Sequence, residues 1–456
     1  MNASVAERQA EGRAHRKVVP RSSHGAWEPP AGRHDPVAMV VAANAGRLPW
    51  LVPIRHGRMA TSAFAFYRGT ADIMAADLAT TPTSGLRAQI CGDAHLANFG
   101  FYFSPDRRLV FDLNDFDETL VGPWEWDIKR LAASFAVGAR HSGLGAGVAG
   151  RAARRATESY RTAMHEFAED RTLEVWYARL ELDDVLARMP EALAKRGQRA
   201  GRSWSGRDSI HASRKLTEEV DGIRRIRSAP PELVALRDLT EAQLGQSDEA
   251  MQRAVVEALQ RYRRSLAPNL HVLLDRFRLI DVALKVVGVG SVGTRCWIVL
   301  FEGRDGEDPL FLQLKEAGPS VLETHLRKSR FRHFGRRVVE GQQLMQASRD
   351  IFLGWTNGVD GRAMYVRQLR DGKGSVDSSR LGASDLSAYA DVCGHTLARA
   401  HARSGDPVAI AAYLGSGDTF DRAVADFGEA YAEQAVLDHE RFLEAIDAGR
   451  LSATLG

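Results

Sequence analysis

Two acidic clusters in the first third of the chain have the residue types that phosphoryl transfer requires. The first is Cys-Gly-Asp-Ala-His-Leu-Ala-Asn, in which Asp93 precedes Asn98 by five residues. The second follows a hydrophobic run and reads Asp-Phe-Asp, with carboxylates at Asp115 and Asp117. Phosphoryl transfer needs a carboxylate near the attacking hydroxyl and oxygen ligands for the cations on the nucleotide phosphates. The pattern predicts Asp93 as the catalytic residue and Asn98, Asp115 and Asp117 as Mg²⁺ ligands.

A glycine-rich segment much later in the chain has the composition of a phosphate-binding turn. It carries Gly288, Gly290 and Gly293, and it is followed by a hydrophobic run, a polar turn and a second run that reaches Lys315. Glycines allow backbone amides to approach a phosphate closely and to adopt positive φ. A kinase places its phosphate-contacting lysine on a strand after such a turn. An amphipathic helix is predicted next, and we expect its Glu340 to pair with Lys315.

The order of residues around the acidic clusters resembles the aminoglycoside phosphotransferase and choline kinase branch of the protein-kinase-like fold. Those enzymes show His-Gly-Asp-x-x-x-x-Asn, a hydrophobic strand that ends in Asp-Phe/Trp-Asp/Gly, a Gly-Pro pair and an aspartate that opens a helix. This chain has Gly-Asp-x-His-x-x-Asn, a hydrophobic strand, Asp-Phe-Asp, a Gly-Pro pair and Asp127 in the same order. The chain departs from that pattern at Cys91, where those enzymes have a bracing histidine. The resemblance implies ATP and Mg²⁺ as cofactors and a small hydroxylated molecule, of unknown identity, as the acceptor.

The chain as a whole also looks like the bacterial domain-of-unknown-function family numbered 2252. The matching motifs are Arg-Met-x-x-Ser-x-Phe-x-Phe-x-Arg-Gly at 58–69, Cys-Gly-Asp-x-His at 91–95 and His-Ala-Arg-Ser-Gly-Asp at 401–406. That family name implies no activity.

The order of the motifs predicts a circularly permuted kinase. In ordinary kinases the nucleotide lobe precedes the catalytic loop, whereas here the glycine-rich turn follows it. The later segment at 401–406 does not supply a second catalytic loop, because the residue five beyond Asp406 is Ala411. Chain termini commonly lie close together at the surface, so permutation is physically tolerable.

We therefore expect an α+β, two-lobed protein-kinase-like fold with a large helical lobe and a small antiparallel-sheet nucleotide lobe. The expected units are a disordered tail at 1–35, a helical lobe with the catalytic and metal loops at 36–275, a nucleotide-binding lobe at 276–375, and C-terminal helices packed on the helical lobe at 376–456. Within the helical lobe, the segment 194–227 lacks an apolar stripe and is predicted to be a mobile loop or substrate cover.

Composition limits the classes of partner. The 61 basic and 58 acidic residues leave a net charge of +3, which does not favour a nucleic-acid partner. The three cysteines have no metal-ligand spacing, and no run of eighteen apolar residues occurs. These features predict a cytoplasmic protein that does not bind a membrane.

Several alternatives stay open at this stage. The Asp-Phe-Asp carboxylates could be turn formers, the three glycines could mark only a hairpin, and Lys315 could form a solvated pair with Glu316. Arg68 could bind phosphate or be ion-paired, and His95 could be a packed structural residue. At the level of function, the alternatives are a kinase-fold nucleotidyltransferase, a nucleotide-binding pseudokinase that regulates a partner, and a metal phosphohydrolase built on Asp93, His95 and the acidic turn.

Overall fold

A computed structural model describes residues 3–206, 209–220, 222–244, 247–358, 360–369, 374–377 and 380–454. A few positions of the predicted 194–227 loop and of the predicted nucleotide lobe, at 207–208, 221, 359 and 370–373, therefore lie outside the described residues. The helices are α1 Val5–Val18, α2 Pro36–Ala42, α3 Val52–Ala60, α4 Ala63–Gly69, α5 Ala71–Leu78, α6 Trp124–His141, α7 Ala146–Glu169, α8 Thr172–Tyr177, α9 Leu182–Ala187, α10 Glu191–Ser205, α11 Ser209–Leu216, α12 Glu241–Leu244, α13 Asp248–Ser265, α14 Pro268–Leu274, α15 Phe334–Met345, α16 Ala383–Ala402, α17 Pro407–Leu414 and α18 Thr419–Asp447.

The strands form several antiparallel sheets, so the mixed α+β class predicted from the sequence is confirmed. They are β1 Arg87–Ile90, β2 Phe99–Phe103, β3 Leu109–Leu113, β4 Leu120–Pro123, β5 Leu180–Glu181, β6 Thr217–Val220, β7 Ile223–Ile226, β8 Leu233–Ala235, β9 Arg278–Lys285, β10 Cys296–Glu302, β11 Pro309–Glu316, β12 Gly354–Asn357, β13 Ala363–Gln368 and β14 Gly374–Ser375.

Helices α6, α7, α16 and α18 pack against one another and, with α17 and α1, form a helical unit that is called the helical lobe below. Their contact faces are rich in alanine and glycine, which lets the helix backbones approach closely. A Cβ atom at Gly394 in α16 would lie 2.1 Å from the backbone oxygen of Ala156 in α7. At the start of α6, Trp124 stacks on Tyr160 of α7 with ring centroids 5.4 Å apart. This tight packing makes the lobe a rigid support for the loops above it.

Two small sheets position the acidic clusters. Strand β1 pairs with β4, and β3 lies between β2 and β5. The loop that carries Asp93 begins directly after β1, and the turn that carries Asp115 begins directly after β3. All five residues of β3 are buried, so that strand fixes the origin of the acidic turn.

A six-stranded antiparallel sheet in the order β12-β13-β11-β10-β9-β8 forms the second unit. Strand β10, which follows the glycine-rich turn, pairs antiparallel with β11, and Cys296 lies opposite Lys315. This pairing agrees with the antiparallel sheet predicted for this part of the chain. Successive side chains alternate between the faces of the sheet. Val299 packs with α13 and α14 on one face, and Ile298 packs with α11 on the other.

The first 35 residues are not the disordered tail that was predicted. Ser4 and Glu7 form a capping box at the start of α1, and Gly12 packs against the backbone of α17. The polar composition concealed this helix because a single narrow face of it is buried.

Two further boundaries differ from prediction. The sheet unit begins before residue 276, because β8 is one of its strands and α13 and α14 pack on it. The Tyr262 hydroxyl of α13 also donates to the Phe352 oxygen at 2.6 Å. The segment predicted as a loop at 194–227 contains α10, α11 and the β6–β7 hairpin within its described residues. At the C-terminus, α18 is one continuous helix. No helix in the described parts of the chain combines the length and apolar composition that a bilayer span requires.

Candidate functional site

A cleft with a volume of about 920 Å³ lies between the helical lobe and the six-stranded sheet. It brings together residues that are far apart in the chain and that the sequence singled out for one site. Those that line it are Asp93, Asn98, Asp115 and Asp117 from the loops after β1 and β3, and Gly288, Gly290 and Lys315 from the sheet.

The loop that carries Asp93 is held by the first turn of α6. Asp127 accepts hydrogen bonds from the backbone N–H groups of Cys91 at 2.6 Å and Gly92 at 2.9 Å. His401 Nε2 lies 3.3 Å from the same carboxylate. Gly92 has a φ of 81°, and a Cβ atom there would lie 2.6 Å from a backbone oxygen. The position therefore requires glycine, and the loop conformation before Asp93 is set by backbone contacts.

A buried arginine that the sequence analysis missed orients Asp93. Arg130 in α6 donates through Nε to Asp93 Oδ1 at 2.6 Å, and its side chain is 2% exposed. The Asp93 side chain is 26% exposed where it faces the cleft. Burial raises the pKa of Asp93 to about 6, although the charge of Arg130 opposes that shift. The sequence signalled only that Arg130 shares a helical face with Asp127, which it follows by three residues.

Asn98 holds the acidic turn in place. Its amide nitrogen donates to the backbone oxygens of Asp93 and Asp115, both at 3.0 Å. Its amide oxygen accepts from the backbone N–H of Asp115 at 2.8 Å. That oxygen is therefore occupied by the protein backbone, where the sequence predicted a metal ligand. The side chain links the two loops and sets their separation.

Lys315 lies against the acidic turn. Its Nζ atom is 3.0 Å from Asp115 Oδ2 and also pairs with Asp117, although Asp115 and Lys315 are 200 residues apart in sequence. The Lys315 side chain is 2% exposed. Burial alone would lower the pKa of Lys315, but the charges of Asp115 and Asp117 outweigh burial and hold that pKa well above its ordinary value. The lysine is a charged ammonium throughout the physiological range.

The two carboxylates of the turn fit a magnesium ion. Asp117 Oδ1 is buried and makes no hydrogen bond of normal geometry, and the Asp115 side chain is 42% exposed to the cleft. Burial, followed by the charge of Asp115, raises the pKa of Asp117 despite the nearby Lys315. No group of three or more His, Cys, Asp or Glu side chains suited to a metal occurs among the described residues. Mg²⁺ commonly binds through one or two carboxylates together with water and substrate phosphates, so this pair is a sufficient protein contribution.

The sequence predicted that Glu340 would pair with Lys315, but the structure does not show this pair. It forms an ion pair with Arg336 at 3.1 Å within α15, its side chain is 33% exposed, and it does not line the cleft. The buried face of α15 instead presents Arg337, which donates to the backbone oxygen of Asp117 at 2.7 Å. The rotation of α15 about its axis therefore directs a cation, rather than a carboxylate, towards the acidic turn.

The glycine-rich turn lines the cleft and is held by a hydrogen bond from an arginine of α3. Arg58 donates to the Gly288 oxygen at 2.8 Å. Gly288 and Gly293 have φ values of 63° and 89°, in the left-handed region that favours glycine. Gly288 and Gly290 line the cleft, whereas Gly293 packs on Arg47 and shapes the turn from outside the lining. Two of the three predicted glycines are thus placed where a phosphate could approach.

His95 and Arg68 complete the wall beside Asp93. His95 is 7% exposed, and its Nε2 atom lies 3.8 Å from Asp93 Oδ2. Burial, with the positive charges of Arg68 and Arg130, lowers the pKa of His95 well below its ordinary value, so the ring is neutral. Arg68 projects from the end of α4.

Comparison with protein families matches residues 47–445 to the family described as "Uncharacterized protein conserved in bacteria (DUF2252)". The matched region contains both acidic clusters, the glycine-rich turn and the strand that carries Lys315. Searches among curated proteins and among solved structures find no match. Because the family match covers most of the chain, the protein belongs to this bacterial family, as its motifs predicted.

Proposed function

We propose that the chain is an ATP- and Mg²⁺-dependent phosphotransferase that acts on a small hydroxylated acceptor. The observation that carries this proposal is the presence in one cleft of Asp93, the Asp115 and Asp117 pair, and Lys315. A metal phosphohydrolase would use the carboxylates, but it would have no need for a glycine-rich turn and a buried strand lysine on the same cleft. The arrangement therefore favours transfer from a nucleotide.

In the proposed reaction, the acceptor hydroxyl oxygen forms a bond to the terminal phosphorus of ATP. The bond from that phosphorus to the bridging oxygen of ADP breaks, and the hydroxyl proton passes to Asp93. Arg130 holds Asp93 Oδ1, which leaves the other oxygen to accept the proton. Asp115 and Asp117 would hold the magnesium ion, and the nucleotide and cation supply the transferable group and neutralise its charge.

We infer that the fold is a circularly permuted kinase-like fold. The sheet carries, in order, a glycine-rich turn between β9 and β10, Lys315 on β11, helix α15 and strands β12 and β13. This is the order of elements expected for a nucleotide lobe, and it follows the two acidic loops in the chain. The contact of α1 with α17 brings the first and last parts of the chain into one lobe, as a permutation requires.

Nucleotide binding is tested by thermal unfolding of the full chain. A ligand that binds the folded state at a hundredfold excess over its Kd stabilises that state by about 2.7 kcal/mol. ATP with Mg²⁺ should therefore raise the Tm, and ATP with EDTA should raise it less. The absence of any shift at millimolar ATP and Mg²⁺ would contradict the proposal.

Catalysis is tested separately from binding with Asp93→Asn. This variant should lose transfer by a factor of about 100 or more while it retains the shift in Tm with Mg²⁺ and ATP. In the wild type, kcat/KM should fall as pH drops through about 6, because Asp93 must be ionised to accept a proton. Asp447→Asn, an exposed aspartate at the end of α18, is the control. Mass analysis of the products distinguishes phosphoryl from nucleotidyl transfer.

A further inference from the structure

Arg68 is a cleft cation whose closest charge-related contact is with a ring, since its guanidinium lies 5.9 Å from the centroid of Phe64. It lies at the end of α4 and lines the cleft, and its Nε atom is buried. Its guanidinium group makes no hydrogen bond or ion pair within the part of the chain that the structure describes. Arg55 and Arg367 line the same cleft, but each donates two hydrogen bonds to protein oxygens. The Arg68 side chain is half-buried, and a buried N–H left unsatisfied is costly, so the Nε atom indicates a ligand.

Asp93 does not account for the charge of Arg68. The nearby Asp93 carboxylate is already held by Arg130, whose Nη2 and Nε atoms lie 2.5 and 2.6 Å from Oδ1. One carboxylate is thus flanked by two guanidinium groups, while Asp115 and Asp117 face Lys315. Arg68 therefore has no carboxylate in direct contact, whereas Arg130 and Lys315 each do.

A second unsatisfied polar atom belongs to His95, which lines the same cleft as Arg68. His95 Nδ1 is buried without a hydrogen-bond partner among the described residues, and the side chain is more than nine-tenths buried. The ring is neutral because burial, and after it the charge of Arg68, disfavours the imidazolium form. A neutral imidazole can still donate one N–H hydrogen bond. Arg68 from α4 and His95 from the loop after β1 thus present polar groups from two elements to one place.

We propose that the acceptor carries an anionic group, a carboxylate or a phosphate, which binds Arg68 and His95 while its hydroxyl faces Asp93. Guanidinium groups bind these two anions with paired, charge-assisted hydrogen bonds. A cationic acceptor group at the same place would be repelled by the guanidinium of Arg68. This proposal rests on the proposed phosphotransferase function and specifies its class of substrate.

The test measures calorimetric Kd values of the full chain, without nucleotide, for probes matched in size. These are glycerate and glycerol 3-phosphate as anions, glycerol as the neutral probe and ethanolamine as the cation. At least one anion should bind at least tenfold more tightly than the neutral and cationic probes. Comparison of the two anions distinguishes a carboxylate site from a phosphate site.

Variants of Arg68 assign the preference to this side chain. Arg68→Gln should abolish the tenfold preference, and Arg68→Lys should retain part of it because the charge remains. Arg349→Gln, at an exposed position on the rim of the same cleft, should leave the preference unchanged. Partial retention of the preference by Arg68→Lys, with its loss in Arg68→Gln, would show that the loss is not a folding defect.

Three results would overturn the inference. These are the lack of an anion preference in the wild type, its persistence in Arg68→Gln, and an Arg68→Gln defect confined to the binding of ATP with Mg²⁺. The last result would assign Arg68 to the nucleotide phosphates. Failure of the phosphotransferase proposal itself is recognised separately, by the absence of an ATP-dependent shift in Tm, since the probes bind without nucleotide.

Discussion

At the residue scale, the central feature is a buried ammonium group between two carboxylates. Lys315 contacts both Asp115 and Asp117, so the protein supplies its own cation to the place proposed for Mg²⁺. The burial of unpaired carboxylates is expensive, and the lysine reduces that cost before any ligand binds. The same contact joins the sheet to the acidic turn, because Lys315 lies on β11 and Asp115 lies in the turn after β3, far away in the sequence.

We expect Lys315→Met to destabilise the protein by about 2–3 kcal/mol at pH 7. This is below the loss for a fully buried pair because Asp115 is 42% exposed. The pKa of Asp117 is raised in the folded state, so this group stabilises the fold at low pH and the contribution is lost as the pH rises. Lys315→Met removes a charge that opposes the raised pKa, so the variant enlarges this pH dependence. The deficit relative to wild type should therefore shrink as the pH falls towards about 4, where unfolded aspartate protonates. Urea unfolding at both pH values measures it.

Magnesium provides the complementary measurement for that variant. With the ammonium group removed, Mg²⁺ should restore part of the stability of Lys315→Met and should have a smaller effect on the wild type. Lys195→Met is the matched control, because the ion pair of Lys195 with Glu191 is mostly exposed. Equal stability of Lys315→Met and the wild type at pH 7 would show that the lysine does not offset the cost of burying the carboxylates of the turn.

At the element scale, the N-terminal helix α1 is an integral part of the helical lobe. Gly12 is buried against α17, and a Cβ atom there would lie 2.1 Å from the Ala409 backbone oxygen. Arg16 donates to the Tyr413 oxygen at 2.9 Å at the end of α17. The helix is thus attached through one narrow face that needs a glycine.

Gly12→Val should detach α1 from α17, because the added side chain has no space and backbone atoms must shift. Limited proteolysis should then cleave the first twenty residues faster in the variant than in the wild type. Ala14→Val, at an exposed position of the same helix, should leave the cleavage rate unchanged. Rapid cleavage of the wild-type segment would contradict docking of α1.

At the scale of the whole molecule, one arginine joins the N-terminal segment to two helices. Arg33 contacts Asp77 of α5 at 2.8 Å and Asp438 of α18 at 2.6 Å, and all three side chains are at most 10% exposed. The Tyr431 hydroxyl also donates to Asp77, at 2.9 Å. The network thus connects a residue near the start of the sequence with one near its end.

Arg33→Met should reduce the free energy of unfolding by about 3–5 kcal/mol, because it leaves two buried carboxylates without a cation. Arg154→Met provides the comparison. The Arg154 side chain pairs with Asp418 at 2.7 Å, but these side chains are 49% and 39% exposed, and the loss should stay below about 1 kcal/mol. Chemical unfolding of both variants measures the difference, and similar losses would show that the Arg33 network contributes no more than a surface pair.

The sequence by itself determined the parts of the site that depend on short spacing. Asp93 and Asn98 share one loop, and Asp115 and Asp117 share one turn, so neighbouring residues along the backbone define their positions. The pairing of the strand after the glycine-rich turn with the strand of Lys315 was equally accessible, because a polar turn between two hydrophobic runs indicates an antiparallel hairpin.

Only the tertiary structure decided which side chains meet across elements. The rotation of α15 about its axis placed Arg337, and not Glu340, against the acidic turn. The apolar pattern of a helix does not specify that rotation closely enough to decide between the two side chains. Packing of α6 beneath the loop after β1 gave Asp93 its partner Arg130. The approach of Lys315 to Asp115 depends on how the sheet docks on the helical lobe, and docking is governed by the shape of both buried surfaces, which no local spacing specifies.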